Sequence, residues 1–325
     1  MKTQADILLV TVTKVESLAV LEAFEKHTGQ KPRLEPRGDK TYHDLGTVNG
    51  ARVSLVLSEM GAGGLGGAQQ TVTKAIAELR PAAVVMVGIA FGMDERKQAI
   101  GDILVSENLR LYELQRVGTK RGEPDIILRG DRPHCSPRLL DAFRNGDLHW
   151  QGARVRFGCV LTGEKLVDNL DFRQRLHAIE PEAIGGEMEG AGLYTACQDA
   201  KVDWLLVKAI CDWADGKKEV DRQQRQELAA RNAAEFVAHV LKTVPLNLRR
   251  GGESPPPQDP GERTISQSGA GAVAAGRDNI VAGQGGVAVG GDVIVTTTRD
   301  IRRRESKTSK LDGPGEMRRS SASAS

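Results

Sequence analysis

The sequence predicts an α/β fold built from βαβ units, followed by a glycine-rich C-terminal tail. Apolar runs alternate with segments of helical periodicity as far as Val244, which is the order that βαβ connections produce. The runs are apolar at successive positions, as expected of strands covered on both faces. Beyond this region the composition turns to glycine, proline and serine, and no aromatic residue follows Phe236.

The individual elements follow from these patterns. The predicted strands are residues 7–12, 52–57, 82–87, 102–105, 154–161 and 204–210. The predicted helices are residues 15–26, 68–79, 138–144, 189–198 and 219–242. In the last helix Leu228, Ala233, Phe236 and Val240 share one face, so we expect it to pack on the sheet and close the domain.

Four segments are predicted. A domain at 1–245 is followed by a Pro/Gly-rich linker at 246–264, a Gly/Val repeat at 265–298 and a disordered basic, serine-rich tail at 299–325. Residues 271–281 recur as 285–295 with seven of eleven positions identical. A repeat this short cannot bury an apolar face alone, so it either stacks as β-structure or stays flexible. If it stacks, it offers a docking segment for a partner protein or another copy of the chain.

Composition narrows the class of protein. The 45 basic and 43 acidic residues give a formal charge of +2, which does not favour a nucleic-acid partner. Four cysteines without paired spacing fit a reducing cytoplasm. No apolar run approaches the ~20 residues of a membrane span, and the first residues lack an apolar leader. We therefore expect a cytoplasmic protein with no membrane partner and no metal.

The segment Gly61–Gly66 matches the G-x-G-x-x-G pattern between a strand and a helix. It departs from the dinucleotide fingerprint because it follows a later strand than the first, and the next strand ends without an acidic residue for the ribose. We expect no dinucleotide and no other cofactor. The glycines still allow close backbone approach to a ligand, and the following helix N-terminus suits an anion or a sugar.

Two further motifs are the most informative about function. They are Glu-Met-Glu-Gly at 187–190, and Cys-Asp-Trp-Ala-Asp at 211–215, which follows a predicted strand. With them the chain resembles the nucleoside phosphorylase/nucleosidase family, especially its methylthioadenosine/S-adenosylhomocysteine nucleosidases. Segments 61–66, 87–92, 100–105 and 162–167 match in the same order, so the resemblance covers about residues 7–242. It implies a three-layer α/β/α phosphorylase-like domain with a mixed central sheet, and a homo-oligomer, either dimer or hexamer.

The resemblance implies cleavage of the N-glycosidic bond of a purine, in particular adenine, nucleoside or nucleotide. Asp212 then corresponds to the acid that protonates the leaving base, and Glu16 to the base that activates water. Glu189 corresponds to the acceptor of the ribose hydroxyls and Met188 to the residue beneath the sugar, and Glu187 is a further substrate-binding candidate. The remaining substrate-binding candidates are Leu166, Val167, Gly88, Ile89, Ala90, Gly61, Met60 and Lys14.

Each assignment has a plainer alternative. Asp212 could instead cap a helix. Glu16 could lie at the surface of a first helical turn. Met188, Leu166 and Val167 could be ordinary core residues.

Hydrolysis and phosphorolysis remain alternatives at this stage. Phosphorolysis requires cationic side chains that bind the phosphate dianion. The family has an arginine before the central glycine turn, and this chain has the apolar run 84–87 in its place. Lys14 still offers one cation. We expect water as the nucleophile. Family members fused to additional modules resemble effectors of bacterial defence systems that deplete adenine nucleotides. The tail and Lys14 give this chain a similar architecture, so the resemblance implies such a role for it. A non-catalytic nucleotide sensor that signals through the tail is the third reading.

Overall fold

The computed structural model describes residues 4–120, 122–217, 219 and 221–248, together with 275–276 and 279–280. Its contacts divide the chain into a first unit, Met1–Glu253, and a second unit, Ser254–Ser325. Most of the predicted linker at 246–264, most of the predicted repeat at 265–298 and the predicted tail at 299–325 lie outside the described residues.

The described part of the first unit contains six α-helices and eleven β-strands, which alternate from residue 137 onward. The helices are α1 Lys14–Thr28, α2 Ala68–Leu79, α3 Pro137–Asp147, α4 Leu170–Ile179, α5 Gly190–Ala200 and α6 Arg222–Thr243. The strands are β1 Ile7–Thr11, β2 Arg33–Arg37, β3 Lys40–Val48, β4 Ala51–Leu57, β5 Ala83–Gly92, β6 Ile103–Leu111, β7 Gln115–Lys120, β8 Glu123–Leu128, β9 Val155–Thr162, β10 Ala183–Glu187 and β11 Asp203–Asp212.

The main sheet is mixed and has the strand order β10-β9-β6-β11-β5-β1-β4-β3-β2. Strand β5 pairs in parallel with β1 and β11, whereas β11 pairs with β6 in antiparallel orientation. Strand β10 pairs with β9 and also with β5, so five strands close on themselves like a small barrel. The predicted α/β fold with a mixed central sheet is confirmed.

Helices cover the central strands in two groups. Helix α1 packs against α6, and α2 packs against α5, while α6 and α5 both contact β5 and β11. Strand β1 is buried along its whole length, as is nearly all of β5 and β11. Buried apolar strands between helix layers are the usual arrangement of an α/β domain. This packing fixes the ends of β1, β5 and β11.

Several elements were not predicted from the sequence: β2, β3, β7, β8, β10 and α4. Strands β7 and β8 form a separate hairpin whose residues are largely polar, and β10 is only five residues long with two glycines. The strands among these segments lack the apolar runs on which the predictions depend. In α4, Phe172, Leu176 and Ile179 do have helical spacing, but that helix was not predicted.

In the second unit, Ala275–Gly276 (β12) pairs antiparallel with Asn279–Ile280 (β13). Among the helices that the structure describes, none combines the length and apolarity of a membrane-crossing segment.

Candidate active site

Strands β10 and β11 meet on either side of Phe91 in β5. Phe91 pairs with Asp212 of β11 and with Gly186 of β10. The closure of the sheet therefore brings Asp212 and the segment around Glu187 to the same stretch of β5, although the two are far apart in sequence. This junction is where the candidate site is built.

A buried lysine lies at the centre of the site. Lys208 of β11 is only 1% exposed, and its Nζ lies 3.1 Å from Glu189 Oε2 and 3.7 Å from Glu187 Oε2. Burial by itself would lower the pKa of Lys208, but attraction to Glu189, Glu16 and Glu187 outweighs burial and raises it. Lys208 is therefore an ammonium ion among three carboxyl groups.

Gly88 makes room for this cluster. It pairs with Lys208 across β5 and β11. A Cβ atom on Gly88 would stand 2.2 Å from Glu16 Oε1 and 3.1 Å from Lys208 Nζ, so both charged groups lie against its Cα. Only glycine permits that approach.

Glu16 is buried at the start of α1 rather than exposed on it. Its Oε2 accepts the backbone N–H groups of Val12 at 2.9 Å and Thr13 at 2.7 Å, and Thr13 completes a capping box. Its Oε1 accepts the N–H of Ile89 at 2.8 Å. Glu16 thus joins the first helix to the central strand and is held in a fixed position.

Glu187 and Glu189 have different partners. Glu187 accepts the N–H groups of Glu189 at 2.9 Å and Gly190 at 2.9 Å, and thereby anchors the start of α5. Burial and the neighbouring Glu189 raise the pKa of Glu187 to about 7, against the opposing effect of Lys208. Glu189 instead accepts from Lys208 and from Gly61 N at 3.1 Å. Glu189 is thus the carboxyl group that joins Lys208 to the glycine loop at 61–66.

Asp212 ends β11 and is buried. Its Oδ1 accepts the N–H of Ala214 at 2.9 Å, and the Cys211 thiol donates to its Oδ2 at 3.1 Å. The N-cap position of the next helix, α6, belongs to Asp221. Asp212 is therefore not a helix cap.

The loop after β9 folds over the turn that follows Asp212. Val167 is buried in one apolar cluster with Phe91 and Ala214, whereas Leu166 is 61% exposed. Asp168 Oδ1 accepts the N–H of Gly216 at 3.0 Å. Val167 and Asp212 thus belong to one region, and Leu166 lies at its surface.

Backbone N–H groups of the glycine loop, residues 61–66, donate hydrogen bonds to carboxylates at the site. Besides the bond from Gly61 to Glu189, the amides of Ala62 and Gly63 donate to the carboxylate of Glu164, at 3.3 and 3.1 Å. Met60 is 54% exposed. Gly61 therefore touches the cluster directly, while Met60 stays at the rim.

Lys14 does not join the cluster. It is exposed and lines a cavity of about 1010 Å³ between the starts of α1 and α6, together with Arg222 and Glu219. Of the other predicted residues, Met188 is half-buried and Ala90 packs with Leu104 and Ile210 in the core.

Two residues of the site were missed by the sequence reasoning. Lys208 carried a usable signal, because a lone lysine interrupts the otherwise apolar strand Trp204–Ile210, and a buried lysine needs a carboxylate partner. Glu164 carried no such signal, since its partners are backbone amides of a remote loop.

Comparisons with known proteins agree with this architecture. A family model described as the phosphorylase superfamily matches residues 6–242. The death domain-containing ATP nucleosidase of Amphimedon queenslandica is 28% identical over 72% of this chain and 48% of its own length. ATP nucleosidase Cap17 of Escherichia coli (strain KTE188) is 23% identical over 66% and 47%. This chain thus spans about half the length of these two relatives.

A shorter relative is matched over most of its length. The 5'-methylthioadenosine/S-adenosylhomocysteine nucleosidase of Staphylococcus epidermidis is 25% identical over 58% of this chain and 82% of its own.

Solved structures show the same fold. The 5'-methylthioadenosine/S-adenosylhomocysteine nucleosidase of Neisseria meningitidis, in complex with methylthio-immucillin-A, superposes with a TM-score of 0.62 at 21% identity, covering 75% of this chain and all of that one. Futalosine hydrolase of Helicobacter pylori gives a TM-score of 0.60 at 20% identity, covering 74% and 98%. Because the family match covers most of the sequence and the fold agrees, this chain belongs to the phosphorylase superfamily.

Proposed function

We propose that this chain hydrolyses the N-glycosidic bond of an adenine nucleoside or nucleotide. The observation that carries the proposal is the buried cluster of Glu16, Glu189 and Lys208 beside β5, with Asp212 at the end of the adjoining strand. Carboxyl groups that approach one junction from different elements can divide acid and base roles between them.

The proposed chemistry assigns one role to each group. The C1′–N9 bond breaks as Asp212 gives its proton to N7 of the leaving base. The ribose becomes oxocarbenium-like, and the oxygen of a water molecule forms the new bond to C1′ while Glu16 takes a proton from that water. Glu189 accepts the ribose hydroxyl groups. Free base and free sugar leave, and the base takes with it the proton that Asp212 gave. The proton that Glu16 took from water returns to Asp212 through solvent, which restores both groups.

Charge at the site favours water over phosphate as nucleophile. Three carboxyl groups surround one ammonium group, so the cluster cannot attract a dianion even when Glu187 holds a proton. The segment before Gly88, Val84–Val87, is buried and apolar and provides no guanidinium group. Both features oppose a phosphate site beside Glu16.

The experiment that tests this proposal measures free base from adenosine and ATP by chromatography, with and without phosphate. We expect the same rate in both buffers and no ribose 1-phosphate. Release that requires phosphate would replace hydrolysis with phosphorolysis. Ligand-induced stabilisation without any release of base would instead favour a sensor.

We extend the proposal to a nucleotide substrate on two grounds. Two relatives are named ATP nucleosidases, and Lys14 and Arg222 line the cavity between α1 and α6, where they could contact a 5′-phosphate chain. Lys14→Ala should raise KM for ATP about tenfold with little change for adenosine, since one charge-assisted contact is lost. Lys242→Ala, which removes an exposed lysine from the other end of α6, is the control. An equal effect on both substrates would remove Lys14 from phosphate binding.

The proposed biological role is an effector that depletes adenine nucleotides in bacterial defence, and it rests on the additional C-terminal segment. Expression in bacterial cells should lower ATP and growth, and Asp212→Asn should abolish both effects. We also propose that the Gly/Val segment 265–298 mediates homo-oligomerisation or docks a partner protein. Deletion of 246–325 should then lower the mass measured by light scattering, and an unchanged mass would reject that role.

The four cysteines, all within the described residues, are buried and form no disulfide, which supports a reducing, cytoplasmic location.

A further inference from the structure

The end of β11 contains a β-bulge at Cys211. Ile210 pairs with Ala90 and Asp212 pairs with Phe91, the next residue of β5, so Cys211 is the extra residue. In a regular strand, the side chains of consecutive residues point to opposite faces. A bulge suspends that alternation and re-aims a side chain. Here it lets the Cys211 thiol reach the carboxyl group of its own neighbour.

The two oxygens of Asp212 have different environments as a result. Oδ1 accepts the backbone N–H of Ala214 at 2.9 Å, and Oδ2 lies 3.1 Å from Cys211 Sγ. A thiol is a weaker donor than a backbone N–H, so Oδ2 is the less firmly held of the two oxygens. It is the oxygen to which the proposed reaction assigns the transferable proton.

We propose that Cys211 is a positioning residue for proton transfer by Asp212. Its thiol holds Oδ2 in one orientation, so that the acid proton points to the purine ring and not to the interior of the turn. This inference rests on the proposed function, because it assigns Cys211 a role only in the departure of the base. Cys211 acts through Asp212 and touches no reacting atom itself.

Another buried cysteine offers a matched comparison. The Cys135 thiol donates to the backbone carbonyl of Ser106 at 2.9 Å, and both thiols are almost without solvent contact. Cys135 is hydrogen-bonded and buried like Cys211, but its partner is a backbone carbonyl, which does not exchange protons. Cys135→Ala thus reproduces the loss of a buried thiol without the loss of a carboxyl contact.

The test measures kcat and KM for adenosine and ATP in Cys211→Ala, Cys211→Val and Cys211→Ser, with Cys135→Ala as control and thermal melting to confirm folding. The Ala and Val variants, which lack a donor, should lower kcat by up to about tenfold and leave KM within about twofold, the size expected for the loss of one hydrogen bond. The Ser variant should keep kcat within about twofold of the unmodified chain, because its hydroxyl can still donate.

A double-mutant cycle separates positioning from packing. In an Asp212→Asn background, Cys211→Val should cause no further loss of kcat, since no acid proton remains to be oriented. An equal loss in both backgrounds, an unchanged kcat in the Ala and Val variants, or failure of both to fold would overturn the positioning role. If the unmodified chain releases no base at all, the proposed function fails first and this inference fails with it.

Discussion

Lys208 Nζ lies 3.1 Å from Glu189 Oε2, and both side chains are buried beneath the junction of β5, β10 and β11. The nearby Glu187 and Glu16 are carboxyl groups as well, so Lys208 supplies the positive charge that compensates the cluster. A buried pair of this kind seldom adds net stability over an apolar core, but removal of one partner leaves an uncompensated charge. The stability of the site therefore depends on Lys208.

Lys208→Met should destabilise the chain strongly. Methionine has a similar volume but no charge, so three carboxyl groups would remain buried without a counterion, at a cost of about 3–5 kcal/mol. Urea unfolding measures the difference. Lys74→Met, which removes an exposed pairing with Asp39, is the control and should leave the free energy of unfolding nearly unchanged. Similar losses in the two variants would mean that Lys208 does not compensate a buried cluster.

The pH dependence of stability should reveal Glu187. In the folded chain its carboxyl group keeps a proton up to about pH 7, whereas its ordinary pKa is 4.5. Between these values the folded state binds more protons than the unfolded state, so this group's contribution to stability falls as pH rises. In Glu187→Gln the free energy of unfolding should fall less between pH 5 and pH 7 than in the unmodified chain. Identical pH profiles would show that the pKa of Glu187 is not raised.

Glu16→Gln tests the proposed general base. The amide keeps the size of the side chain but cannot accept a proton from water, so kcat should fall by ~10²-fold. Thr13→Ala is the matched control, because it removes the hydroxyl group that accepts Glu16 N and leaves the carboxylate in place. That control should lose about 1 kcal/mol of stability and keep most of its activity. The base role is wrong if the two variants lose activity to the same degree.

Gly88→Ala tests the close approach of the cluster to β5. The added methyl group would stand 2.2 Å from Glu16 Oε1, so Glu16 must move, and kcat should fall by at least tenfold as its position is lost. Gly118→Ala places a methyl group at ordinary contact distance in the β7–β8 hairpin, 3.6 Å from the nearest atom, and should leave kcat unchanged. Full activity in Gly88→Ala would show that Glu16 need not occupy its present position.

The sequence predicted the main strands and five of the helices because each carries a clear periodic or apolar pattern. It did not predict β10, whose five residues include Gly185 and Gly186. That strand is defined by its pairing with Phe91 and with β9, not by its own propensity. Closure of the sheet brings Asp212 near Glu187. It depends on contacts between distant segments, so no local sequence pattern predicts it.

Lys14 and Glu16 illustrate the same limit within the candidate site. Both were selected from the turn that begins α1, but residues two apart on a helix differ by about 200° in direction. The structure turns Glu16 to the interior and Lys14 to the outside. Lys208 could have been selected as the lone lysine of an apolar strand, but its partners Glu16, Glu187 and Glu189 are brought together only by the fold.

The central claim is that Asp212 drives departure of an adenine base with water as the acceptor of the sugar. The most direct measurement is free adenine released from adenosine and ATP in phosphate-free buffer, by the unmodified chain and by Asp212→Asn. We predict release by the unmodified chain and a loss of ~10²-fold or more in the variant. Equal release by both proteins, or none from the unmodified chain, would contradict the account.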